Sequence, residues 1–210
     1  IAVSGAEALV EGNVVEQVGA VGISVASDDG MVRNNVVRGS GQDEFAMAVV
    51  GAGADVLKNT LQDGFGGGVH VGGTGLSCAG NVITRCGFEG EAGIYAFGAT
   101  NGVLTNNLVT DCGSGIDLWS SAGALATKNT VLRPVLDGIH IANSSPSCAV
   151  TDNVVRNSGA EGIDNRALMV VLTGNVLKSN RLDLANSGSF GTQSDNVYQT
   201  GGVAVAPEID

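Results

Sequence analysis

The sequence is short of basic residues, aromatic residues, proline and cysteine, and each shortage removes a class of protein. Ten Lys and Arg stand against 21 Asp and Glu, a formal charge of −11. No field is available to hold a phosphate backbone, so nucleic acid is not expected as a partner. The longest nearly apolar stretch, Phe45 to Ala54, is broken by Gly51, Ala52 and Gly53 and falls well short of the roughly 20 residues that span a bilayer. A soluble chain without membrane insertion is expected. The four cysteines, Cys78, Cys86, Cys112 and Cys148, lack the close paired spacings of a zinc site and are few for a disulfide scaffold. A basic-then-apolar leader is missing and the first residue is Ile, so a targeting segment is expected to have been removed or never included.

Glycine is abundant, with 33 of 210 residues, and apolar residues make up 43%. That mixture is too apolar for a disordered chain and too poor in Leu, Lys and Glu for a helical bundle. The length suits one core, and a single domain over residues 1–210 is expected.

Self-similarity organises the whole chain. Asn followed by two mostly β-branched or aliphatic residues recurs at Asn13, Asn35, Asn59, Asn81, Asn107, Asn129, Asn153, Asn175 and Asn196, in steps of 21 to 26 residues. In phase with it runs Gly-Ile/Val-x-Val/Ile/Leu: Gly22-Ile23-Ser24-Val25, Gly68-Val69-His70-Val71, Gly115-Ile116-Asp117-Leu118 and Gly138-Ile139-His140-Ile141 are examples. Three residues before most of the Asn lies a third, apolar column: Val32, Val56, Cys78, Leu104, Ala126, Val150 and Leu172. Strands of three to five residues repeating every ~22 residues cannot close individual cores, and stacking builds one continuous core. The spacing therefore predicts an all-β parallel solenoid of about nine coils. The Asn is expected to take the left-handed conformation of a corner and to bond the same amide one coil away, forming an asparagine ladder.

These motifs resemble those of the right-handed parallel β-helix repeat family, which includes pectate-lyase-like proteins, alginate epimerases and NosD-like periplasmic proteins. The resemblance covers Ile1 to Ala206. It implies a single-stranded right-handed parallel β-helix, a polysaccharide as partner and an extracellular or periplasmic location.

In Gly-Ile-x-Val the apolar side chains face the core, so x faces outward and aligns from coil to coil about 4.8 Å apart. This column reads Ala2, Ser24, Ala48, His70, Tyr95, Asp117, His140, Asp164, Asp183 and Ala204. The next outward column reads Ser4, Ala26, Val50, Gly72, Phe97, Trp119, Ala142, Arg166 and Ala185. Both histidines and the one tryptophan stand in this strip. Flat apolar faces beside convergent polar groups suit a glycan, with His70, Phe97, Trp119, Arg166 and Asp183 as candidate binding residues and Tyr95, Asp117, His140 and Asp164 as candidate catalytic ones. For hydrolysis, Asp117 and Asp164 lie two coils apart, roughly 9.6 Å between backbones, a spacing that would predict inversion. For proton abstraction beside a uronate carboxyl, His140 would be the base, Tyr95 the opposing acid, and Arg166 or a bound cation the neutralising group. The resembling alginate epimerases use Tyr, His and Asp on such a face. Their contiguous Asp-Pro-His-Asp motif is absent here, and the −11 charge opposes a polyanion.

The plainer alternative is an ordinary polar exposed ladder. A calcium or transition-metal site among Asp117, His140 and Asp164 is another, since stacked carboxylates offer ligands at fixed spacing; no cofactor motif is present. Calcium would also suit Asp28-Asp29-Gly30 and Asp43-Glu44, although solvated turns explain them. Asp63-Gly64-Phe65-Gly66-Gly67-Gly68 lacks the Lys and following helix of a phosphate loop and reads as a tight corner. Cys86 and Cys112, each five residues after a ladder Asn, stack on neighbouring coils and are expected to be free core thiols, with Cys78 also in the core. Two further functions fit the repeat. One is a non-catalytic structural segment, such as an adhesin stalk, tail fibre or end-to-end filament, because the chain begins and ends inside a strand column and open coils invite pairing or flanking domains. The other is a NosD-like periplasmic accessory protein handling metal.

Overall fold

A computed structural model describes residues 1–41, 45–87, 90–199 and 202–205, and the chain winds through three parallel sheets. Sheet A has ten strands, from Ala2–Ser4 to Val203–Val205; sheet B has nine, from Leu9–Glu11 to Phe190–Ser194; sheet C has nine, from Val14–Glu16 to Val197–Gln199. Each strand pairs in parallel with its equivalents in the coils before and after it. The described residues contain no helix, and hence none long and apolar enough to cross a membrane.

The strands of sheets B and C are mostly three residues long with the middle residue buried. Three residues give one inward side chain and two outward ones, which is what the period-two pattern requires. The apolar column before the Asn supplies the inward residue of sheet B: Val32, Cys78, Leu104, Val150 and Leu172 are all 0% exposed. The strand therefore continues one residue past that column. Sheet C contributes Val37, Leu61, Ile83, Val109, Val131, Val155 and Leu177 to the same core, and sheet A contributes pairs such as Ile116 and Leu118.

The ladder forms, by a different division of labour from the expected one. None of the nine Asn has positive φ; the residue before each does: Gly12, Asn34, Lys58, Gly80, Asn106, Lys128, Asp152, Gly174 and Asp195. The left-handed turn falls on an exposed neighbour, which frees the Asn side chain to point inward. Asn107 shows the pattern. Its Oδ1 accepts from the backbone N–H and the Nδ2 of Asn81 at 3.0 Å each. Its own Nδ2 donates to Asn129 Oδ1 at 3.0 Å and to the Cys78 carbonyl at 2.9 Å. Cys78 belongs to the apolar column one coil earlier, so the second and third sequence signals are two halves of one bond. A buried amide satisfied this fully adds stability, and one left unmade costs about 1–3 kcal/mol.

Similar ladders occupy the other corners. Between sheets A and B, Ser121 Oγ accepts from Ala99 N–H at 3.1 Å, and Ser145 Oγ from Ser121 N–H at 3.1 Å. Between sheets C and A, Asn180 Oδ1 accepts from Ser158 N–H at 3.0 Å. Cys86 and Cys112 occupy this last column as buried free thiols, and Cys78 and Cys148 are also buried and free. Burial pushes the Cys78 thiol up to about 12 and the Cys148 thiol up to about 11. The neighbouring Cys112, and then burial, raise Cys86 as well, so all three are packing thiols.

The repeated Gly opening each sheet A strand has a steric cause. A Cβ at Gly138 would lie 2.2 Å from Val155 Cγ1, the inward residue of sheet C in the next coil. The glycine-rich segment after Asp63 is a corner, with Asp63 at φ 56°, and runs directly into the strand Gly67–Gly72. Asp28-Asp29-Gly30 is likewise a turn, with Asp29 at φ 51° and Asp28 Oδ1 accepting from Ala52 N–H at 2.8 Å. Asp43-Glu44 lies outside the described residues.

Candidate functional site

The outer face of sheet A carries the strip expected from sequence, in the register expected for most of its length. Ala48 pairs with His70, His70 with Tyr95, Tyr95 with Asp117, Asp117 with His140 and His140 with Asp164. Phe97 pairs with Trp119 in the adjacent column.

The register departs from expectation in the ninth coil. Asp164 pairs with Ala185, not Asp183, and the backbone of Arg166 is followed one coil later by Ser187, not Ala185. Asp183 is 0% exposed and lies on the inside, where its Oδ1 accepts from Asn180 Nδ2 at 2.9 Å. It is removed from the candidate binding residues. The sequence Leu182-Asp183-Leu184 imitates an in-out-in strand, but Asn186 overrides it: Asn165 Nδ2 donates to Asn186 Oδ1 at 2.6 Å, which fixes the pairing two residues further on.

At the centre of the strip, His140 Nδ1 lies 2.9 Å from Asp117 Oδ1. A carboxylate only accepts, so the Nδ1–H donates to it and Nε2 is the ring nitrogen left for another partner. That atom is buried and has no hydrogen-bond partner among the described residues. His140 is only 8% exposed although it stands on an outward column, and the Trp119 ring lies 5.7 Å from it at 59°. Trp119 itself is 40% exposed and offers a face to a ligand.

An aromatic row precedes the dyad. Tyr95 stacks on Phe97, with centroids 6.0 Å apart, and on Phe45, at 5.6 Å and 12°. His70 lies 5.6 Å from Phe45 and 5.5 Å from Tyr95. Burial pushes the His70 ring below the usual histidine range, so it is neutral at physiological pH. Burial also raises the Tyr95 hydroxyl, helped by the charges of Asp117 and Glu91, so Tyr95 remains a hydrogen-bond donor.

Beyond the dyad the strip becomes polar. Arg166 Nε and Nη2 both reach Asp164 Oδ2 at 2.8 Å. Asp137 Oδ1 accepts from the Glu161 N–H at 3.1 Å, and Glu161 Oε1 is held by Arg181 at 3.1 Å. Burial first, and then the adjoining Glu161 carboxyl, push Asp137 up to about 6.

Phe45, Asp137 and Glu161 did not figure among the sequence candidates. The inward-turned glycine that opens each sheet A strand makes the residue before it face outward, so a third column stands three positions before x. It holds Phe45, Gly67, Ala92, Ser114, Asp137, Glu161 and Leu182. A scan of that offset would have found them.

The arrangement does not favour the metal alternative. Asp117 is bonded to His140 and Asp164 to Arg166, and among the described residues no three His, Cys, Asp or Glu are grouped to hold a metal ion.

The family model of the right handed beta helix region matches residues 1–167 and 48–202. Among solved structures, the Dettilon tailspike protein (gp208) superposes with a TM-score of 0.77 at 16% identity, over 98% of this chain and 54% of that one. A double mutant of the periplasmic alginate epimerase AlgG superposes with a TM-score of 0.61 at 14% identity, over 94% and 50%. This chain thus spans about half the length of either. No curated protein sequence matches it. At these identities the structural likeness is one of fold, and the family model extends it to sequence across nearly every coil: the chain belongs to the right-handed β-helix family.

Proposed function

We propose that this β-helix binds a polysaccharide along the outer face of sheet A and that the Asp117–His140 dyad is the acid–base centre of a reaction on it. The dyad carries the reading: an imidazole oriented by a carboxylate at 2.9 Å, with an unpartnered Nε2 beside an exposed tryptophan. The ladder asparagines have their amides bonded, whereas a base must keep a lone pair for its substrate; His70 Nε2 in the same strip is likewise buried and unpartnered, but His140 alone has a carboxylate to orient it. Phe97, at 49% exposure, and Trp119 give flat apolar faces against which pyranose rings stack. The solved structures of like fold include an alginate epimerase, which supports a polysaccharide as the ligand class. A single domain working in the periplasm or outside the cell fits the same reading.

The charge of the face narrows the ligand. Asp117, Asp137, Glu161 and Asp164 line it, and its two arginines, Arg166 and Arg181, are both engaged by these carboxylates. A uronate polymer would find no free counter-charge there, so a neutral glycan is the better fit.

The test is a panel of neutral and uronate polysaccharides incubated with wild type and His140→Ala, read by proton NMR for new reducing ends, unsaturated ends or inverted C5 centres. Turnover on a neutral glycan that the variant loses by about 10²-fold or more is expected. No turnover on any glycan would leave the structural segment, a reading favoured by the continuous asparagine ladder, in its place.

A further inference from the structure

We propose that Trp119 is a movable cover over the base: its indole seals His140 Nε2 in the free protein and leaves it when a pyranose ring of a neutral glycan takes the indole face. The inference rests on the reading of sheet A as a glycan-processing face and adds how access to its base is controlled.

His140 stands on an outward column of an open sheet, yet it is 8% exposed and its Nε2 is buried without a hydrogen-bond partner among the described residues. A base in that state takes no proton from a ligand until something moves aside. Its neighbours in the column do not bond that nitrogen. Asp117 holds Nδ1 at 2.9 Å, and Asp164, one coil later, is turned to Arg166, which bonds its Oδ2 at 2.8 Å. The large side chain lying against the imidazole is Trp119, with ring centroids 5.7 Å apart and planes tilted by 59°.

The adjacent column shows why the indole leans that way. Phe97 is the strand partner of Trp119 on the preceding coil and fills that side with a ring. On the following coil the register Leu118–Ile141 puts Ala142 beside Trp119, a methyl in place of a ring. Ala142 is 2% exposed although it too belongs to an outward column, as expected where a large neighbour lies across it. One indole laid over the next coil accounts for the burial of both His140 and Ala142.

The cover is loosely held. Trp119 ends the strand Ser114–Trp119, precedes the turn residue Ser120 at φ 49° and is 40% exposed. Exposed side chains of this kind change rotamer within nanoseconds. The two positions are closely opposed. Covering gains a ring–ring contact but leaves an imidazole nitrogen dehydrated and unbonded, and uncovering reverses both. A sugar tips the balance, because it offers an apolar face to the indole and a hydroxyl or a held water to Nε2, and only the open position admits the second.

The first measurement needs no glycan. Diethyl pyrocarbonate acylates an unprotonated imidazole nitrogen, and peptide mass spectrometry reads His140 and His70 separately. With the uncovered form at about a tenth of the population or less, His140 should react about tenfold or more slowly in wild type than in Trp119→Ala at the same pH. Arg166→Ala should leave that protection in place. His70, which lies against Phe45 and Tyr95 with its own Nε2 buried, should be unmoved in every variant and so marks intact coils. Were it released in Trp119→Ala, Trp119→Leu would be read instead by the same comparison. Equal His140 rates with and without the indole, or release by Arg166→Ala, would overturn the cover. The second measurement adds oligosaccharides of a β-glucan, a galactan or a mannan to isotope-labelled protein. Nuclear Overhauser contacts between the indole and the His140 ring are expected in the free protein and should be lost at saturation. Contacts that persist while the glycan binds would make Trp119 a fixed wall, overturning the cover while the glycan reading stands. Failure of every oligosaccharide to bind would overturn both readings, whatever the acylation rates.

Discussion

At the scale of single residues, the fold depends on side chains that complete bonds between coils. Asn107→Ala removes three donors or acceptors from a site only 2% exposed and orphans the Cys78 carbonyl and the Asn81 N–H. A loss of about 1–3 kcal/mol is expected, measured by urea unfolding; an unchanged midpoint would show that the ladder adds nothing. Asp137 has the opposite sign at neutral pH. Its folded carboxyl titrates near 6 against an ordinary 3.8, so folding favours the protonated form. That contribution is complete below pH 3.8 and is lost as pH rises through about 6. Asp137→Asn should therefore be more stable than wild type at pH 7, by on the order of 1 kcal/mol once solvent screening is allowed for. The gain should vanish below pH 4, as denaturant melts at the two pH values would show. Equal gains at both would show that burial does not raise the Asp137 carboxyl.

At the scale of the strand and corner, the sequence reading succeeded wherever a residue type is forced by backbone contact and failed where two registers compete. Asn, the inward apolar residue and the glycine before Ile are all bound to neighbours one coil away, so their spacing survives insertions and exposes the repeat. Asp183 was misplaced because Leu182-Asp183-Leu184 matches the strand pattern as well as Leu184-Ala185-Asn186 does. Only the Asn165–Asn186 bond at 2.6 Å, which spans coils, decides between them. Phe45 escaped notice for a related reason, since the inward turn at the strand opening breaks simple alternation. Gly67 makes its position usable: a Cβ there would lie 2.4 Å from the Phe45 ring. Gly67→Ala should lift Phe45 off Tyr95, reduce the near-ultraviolet circular dichroism of the aromatic row and weaken glycan binding by a few-fold to about tenfold. Unchanged dichroism and affinity would mean that the row does not contribute to the site.

At the scale of the whole molecule, the three sheets present different surfaces to one solvent. Sheet B ends in a threonine column, with Thr151 Oγ1 donating to Thr127 Oγ1 at 2.9 Å, and sheet C carries β-branched residues such as Val14, Val82 and Val197. Sheet A alone combines stacked aromatics, both histidines and the carboxyl pair. The solenoid explains why such a strip can exist: coils fix side chains in columns about 4.8 Å apart, so groups distant in sequence converge without a cavity. The fold was legible almost entirely, but the chemistry of the site was legible only as a concentration of residue types, because protonation and burial depend on neighbours across coils. The most direct test maps the chemical shifts of isotope-labelled protein on addition of a neutral oligosaccharide derived from the glycan it cleaves or binds. The account predicts changes centred on the Trp119 indole N–H and the His140 ring, spreading along sheet A to Tyr95 and Asp137, with sheets B and C unmoved. Changes confined to sheet B or sheet C, or none with any neutral glycan, would contradict it.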